Sequence, residues 1–173
     1  MVPSPDGRTA EIIVPSSSKV YEEGMVGGLI GAAAISLWFF LLDLYQGRPL
    51  FTPSVLGTAL FRGGVDAASA QNVPVSFEMV ITFTWVHALV FAAIGVAAAW
   101  LIRLAERDPN YGFGIFLLFV FFEFGFIAVS SLVAEGVVRA LTVPAILAGN
   151  FLAAAAMGAF FWRRHPGLLK FYP

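Results

Sequence analysis

Long apolar runs alternate with short polar breaks along this chain. Four runs, at about 24–45, 77–102, 112–133 and 143–162, each come close to the roughly 20 residues that cross a bilayer as a helix. None shows the strict apolar–polar alternation of barrel strands. Backbone groups in lipid must be satisfied within the segment or by closing a barrel, so the runs predict helices. The breaks carry stop signals: Gly47-Arg48-Pro49 after the first run, Arg103 to Pro109 after the second, and Arg163-Arg164-His165-Pro166 after the fourth. Trp38, Tyr45, Trp100, Tyr111 and Trp162 mostly fall near run ends, where aromatic belts sit.

The segment between the first two runs is not all coil. Thr52 is placed to cap and Pro53 to open a short helix over about 53–61, with Gly63-Gly64 as its stop. That helix is too short to span. Val55, Leu56, Ala59 and Leu60 predict an apolar face that lies in the interface or dips back against the bundle. The expected fold is therefore an all-α integral membrane four-helix bundle with one short interfacial or re-entrant helix. Residues 1–20, rich in Pro and Ser, are expected to be a mobile tail rather than a signal peptide, and 21–173 the membrane domain.

Composition strengthens this picture. Hydrophobic residues make up 59% of the 173 and charged residues 12%, where a soluble domain carries about a quarter charged. The mean hydropathy is +0.84. A net charge of −1 gives no basic surface for a nucleic-acid partner. The absence of cysteine removes disulfides, thiolate nucleophiles and thiolate-held metals. With four spans, Arg8, Lys19, Arg103, Arg107, Arg163, Arg164 and Lys170 share one side, against Arg48, Arg62 and Arg139 on the other. That asymmetry predicts an inner or plasma membrane location with both termini cytoplasmic.

Helices in lipid associate through close backbone approach and hydrogen bonds, so small residues mark their seams. Gly24, Gly28, Ala32 and Ser36 recur at four-residue spacing, with Gly27 and Gly31 beside them. Gly95 with Ala97–Ala99, and Ala153–Ala156 with Gly158, supply small patches on the second and fourth runs. The third run is instead rich in phenylalanine, including Phe113, Phe116, Phe119, Phe121 and Phe122.

Ionisable groups at membrane depth cost about 2.5–3.5 kcal/mol on insertion scales and are functional candidates by default. His87 and Glu123 fall near the middle of their runs, at similar depth, and a hydrogen bond between them would satisfy both. Ser76 and Thr84 are placed on the His87 face, Ser130 on that of Glu123. Asn150 is a third buried polar candidate. The pair suits a proton-responsive or ligand site, or plain interhelical bonding. His87 alone suits an axial ligand of haem or a pigment, which is the one cofactor the residues leave open. A second polar group gathers at the opposite end from the termini: Asp43, Arg48, Arg62, Asp66, Glu78, Glu135 and Arg139, with Asp43 expected to pair with Arg48, Arg62 or Arg139.

Catalytic motifs are absent: no paired Glu-x-x-His, His-Glu-x-x-His, Walker A, dinucleotide fingerprint or Gly-x-Ser-x-Gly. No catalytic or metal-ligating residue is assigned. The leading expectation is a small non-catalytic accessory or partner-binding subunit, whose partners are the bilayer and other membrane subunits or itself. The alternatives are a small transporter or proton-coupled channel using His87 and Glu123, and a haem- or pigment-binding electron-transfer subunit.

Overall fold

The computed structural model describes residues 17–65, 69–107 and 142–166. The expected third run (112–133), with Glu123 and Ser130, lies outside the described residues, as do Tyr111, Asp66, Glu135 and Arg139. Among the described residues all regular structure is helical. In chain order come α1 (Ser17–Tyr45), α2 (Phe51–Phe61), a one-turn 3-10 helix (Ala70–Asn72), α3 (Phe77–Arg107) and α4 (Val143–Arg164). Three of these, α1, α3 and α4, are long and apolar enough to cross a membrane, which fits a membrane protein. Even α4, with 22 residues, extends about 33 Å at 1.5 Å per residue.

Local chemistry sets the helix ends. α1 closes in a Schellman turn on Gly47, whose φ is +69°. Arg48 N–H donates to the Asp43 carbonyl and Gly47 N–H to that of Leu44, so the last carbonyls of α1 are used. α2 ends in the same way on Gly63, at φ +82°, with Gly64 N–H donating to the Ala59 carbonyl. The Ser76 hydroxyl, just before α3, accepts from Met79 N–H at 3.5 Å. α4 carries a proline in its first turn and Arg163 and Arg164 in its last, where positive charge opposes the helix dipole.

α1 is the central helix. Its Gly24 and Gly28 meet Val96 and Phe91 of α3, while Gly27 and Gly31 meet Phe161 and Met157 of α4. Residue numbers rise on one helix as they fall on the other, so α3 and α4 both run antiparallel to α1. α3 therefore ends at the end of the bundle where α1 begins, and α4 starts at the opposite end, the polarity that alternating spans require. Two small apolar clusters mark the two ends. Val20, Ala99 and Phe161 join at the N-terminal end of α1, and Phe51 and Val55 at the α2 end.

Several boundaries and faces differ from expectation. α1 begins at Ser17, inside the expected tail, because Val20 is buried against α3 and α4. α2 begins at Phe51 rather than Pro53, so Thr52 does not cap it from outside but lies within it, buried. α2 buries Phe51, Thr52, Ser54, Val55 and Gly57; of the expected apolar face Val55, Leu56 and Ala59 pack inward, and Leu60 is exposed. Gly57 decides that rotation, since a Cβ there would sit 2.6 Å from the Met79 carbonyl oxygen of α3.

Candidate functional site

The seam between α1 and α3 is made by backbone. A Cβ on Gly28 would strike the Phe91 carbonyl, and one on Gly95 the Gly24 carbonyl. Gly24, Gly28 and Ala32 are buried, but Ser36 is exposed and does not belong to the seam. The helix repeat explains this: a four-residue step overshoots a 3.6-residue turn by about 40°, so three steps carry a straight ladder well off its facing helix. The α1–α4 seam uses side chains against glycine instead. A Cβ on Gly31 would lie 2.5 Å from the Met157 sulfur, and one on Gly149 3.0 Å from Cδ1 of Trp38. Trp38 is thus no belt residue: its indole N–H donates to the Ala145 carbonyl at 2.9 Å.

His87 sits on α3 between two rings of its own helix. Phe83 and Phe91, one turn away on either side, have ring centroids 5.4 and 4.6 Å from the imidazole. Across the seam it faces the α1 backbone at Ala32. Nε2 is buried with no hydrogen-bond partner among the described residues. Neither hydroxyl expected near it joins it. The Thr84 hydroxyl donates to the Val80 carbonyl of its own helix, and Ser76 belongs to the start of α3. The expected partner, Glu123, is among the residues not described. Asn150 is half-buried on α4, beside Gly149 and toward the α2 end.

The α2 end holds the densest polar network. Asp43 is 3% exposed and was expected to pair with an arginine. Its carboxylate instead takes both donors of Thr52, the backbone N–H at 2.8 Å and the hydroxyl at 2.8 Å. A carboxylate from α1 thereby satisfies a free N–H in the first turn of α2, where the helix dipole also favours negative charge. Ser54, fully buried, continues the network: its hydroxyl donates to the Leu50 carbonyl at 2.8 Å and accepts from Ser76 N–H at 3.2 Å. Asp43, Thr52, Ser54 and Ser76 therefore stitch α1 to α2 and α2 to the start of α3. Leu50, at φ +66°, is the left-handed residue that lets the chain turn back into this network.

Arg48 and Arg62 make no direct ion pair with Asp43, although the Arg48 charge acts on it through space. The Arg48 guanidinium donates to the Gln71 carbonyl (3.1 Å) and to the side-chain oxygens of Gln46 (3.1 Å) and Gln71 (3.2 Å). It also stacks 4.0 Å above the Phe51 ring centroid. Arg62 pairs with Glu78 at 3.7 Å, both side chains well exposed.

At the other end, His165 at the close of α4 ties three helices together. Its Nδ1 lies 2.7 Å from a carboxylate oxygen of Glu106 on α3, and its Nε2 3.0 Å from one of Glu23 on α1. An imidazolium that donates from both nitrogens satisfies this geometry. Nothing local in the sequence pointed to this clasp beyond the presence of each residue at a helix end. Among the described residues, no three His, Asp or Glu side chains gather as a metal site would require. No protein-family model matches the chain, and comparison with curated proteins and with solved structures finds no match.

Proposed function

We propose that this chain is a non-catalytic membrane subunit that binds another membrane protein through α3, with both termini on the cytoplasmic side of an inner or plasma membrane. The observation that carries this reading is the direction of the α3 side chains. One edge of the helix closes onto α1 through Gly95. Another presents Ile81, Trp85 and Leu89, 57%, 69% and 64% exposed, spaced four residues apart at the depth of His87. An indole favours the polar edge of a bilayer over its middle, so Trp85 at this level suits a protein neighbour better than acyl chains. The orientation rests on the basic residues at the His165 end.

Purification in mild detergent, with identification of whatever remains bound, tests the proposal. The expected result is a colourless protein that keeps a stoichiometric membrane partner, lost on Trp85→Ala with Leu89→Ala. A protein that stays alone in both forms sinks it. The orphaned Nε2 of His87 favours a second reading, a proton-coupled channel or transporter with Glu123. Proteoliposome flux that disappears in His87→Ala or Glu123→Gln would establish that reading, and a Soret band would establish haem ligation.

A further inference from the structure

Beside the Asp43 network, the turn from α1 into α2 and the segment leading into α3 enclose a shallow recess of about 530 Å³. Its lining includes the apolar side chains of Phe51, Val73, Val75 and Phe77 and the polar ones of Arg48 and Gln71. Arg48 is held in place there by neutral partners, and it attracts the Asp43 carboxylate through space without a direct ion pair. Its three hydrogen bonds go to amide oxygens, which carry no net charge, and the Phe51 ring supports its flat face. The nearest acid, Asp43, has committed its oxygens to Thr52. No carboxylate among the described residues lies within ion-pair distance of Arg48. A guanidinium has five N–H groups, of which these hydrogen bonds use three.

The surroundings define the ligand. Tyr45 at the end of α1, 90% exposed, is an aromatic residue of the kind that sits at headgroup level, and Phe77 at the start of α3 is 71% exposed. Val75, 46% exposed, lines the recess two residues before α3 begins. A prepositioned cation beside an apolar lining matches a ligand with an anionic head and a hydrocarbon tail. Planar, forked guanidinium donors suit phosphate and carboxylate oxygens.

We propose that this recess binds an anionic phospholipid, its phosphate on Arg48 and one acyl chain along Val75 and Phe77. Phe77 lies one turn before Ile81 on the same exposed stripe, so the acyl chain meets α3 beside the surface read for a partner.

Native mass spectrometry of the full chain in a neutral detergent tests the assignment, with phosphatidylglycerol, phosphatidylcholine and inorganic phosphate as the three probes. Phosphatidylglycerol is expected to bind at least about tenfold more tightly than phosphatidylcholine, whose choline cation offsets the phosphate charge that Arg48 attracts. Arg48→Gln should erase that preference, and Arg62→Gln should leave it intact. Phe77→Ser should weaken both lipids. Arg48→Lys, which keeps the charge and lacks the fork, should reduce the preference severalfold and serves if Arg48→Gln fails to fold. Inorganic phosphate binding as tightly as phosphatidylglycerol would overturn the lipid assignment. An undiminished preference for phosphatidylglycerol in the folded Arg48 variants would overturn the site.

Discussion

The middle of the bundle and its α2 end are held together by opposite means. Between α1 and α3 the backbones touch through Gly24, Gly28 and Gly95, and no side chain intervenes at those points. At the α2 end the backbone turns sharply, and Asp43, Thr52, Ser54 and Ser76 supply the hydrogen bonds that the broken helices cannot. Both arrangements follow from one constraint. In lipid, apolar surface gives helices little reason to associate, so continuous helices rely on close packing. Interrupted helices expose backbone donors and acceptors that must find partners within the protein.

The sharpest way to break this comparison is to give the seam a side chain. Gly28→Val forces a branched Cβ into the Phe91 carbonyl and should destabilise the fold by about 3 kcal/mol, enough to lose monodisperse protein on size-exclusion chromatography. Gly158→Ala is the matched control. A Cβ there meets nothing, so the melting temperature should hold or rise slightly. Equal effects of the two changes would mean that close approach is not what holds α1 to α3.

Asp43→Ala attacks the other region. It leaves the Thr52 N–H and hydroxyl buried without their acceptor and should cost about 2 kcal/mol, with α2 amides exchanging hydrogen faster than those of α1. A uniform change in exchange across the bundle would contradict a local role. His165→Ala removes the clasp at the far end and should cost about 1–2 kcal/mol, because its carboxylate partners retain some contact with solvent. Arg62→Gln is the smallest case. Its pairing with Glu78 is well exposed, and thermal unfolding should move by no more than about 0.5 kcal/mol. A larger loss would show that the pair is shielded by something bound at that surface.

Much of the architecture is legible in local pattern. Apolar run length marks α1, α3 and α4, and Gly47 and Gly63 mark the turns that end α1 and α2. The glycines of α1 point to a seam because few other reasons put so many on one helix. Spacing alone, however, extended that stripe to Ser36, which the helical drift turns outward. The partner of Asp43 was harder to see. Charge argues for an arginine, yet the turn through Leu50 delivers Thr52, nine residues on, with two donors aimed at one carboxylate. Arg48 is drawn to neutral amides instead.

By itself the sequence determined that α1, α3 and α4 are helical and apolar enough to enter a bilayer, since each is a property of about twenty consecutive residues. It also placed His87 within such a segment. Tertiary structure alone decided which polar groups meet. Glu23 and His165 lie 142 positions apart, and only the antiparallel packing of α4 on α1 brings them to 3.0 Å. Hydrogen bonds act over a few ångströms, so their partners are set by helix rotation and register, which no single segment contains.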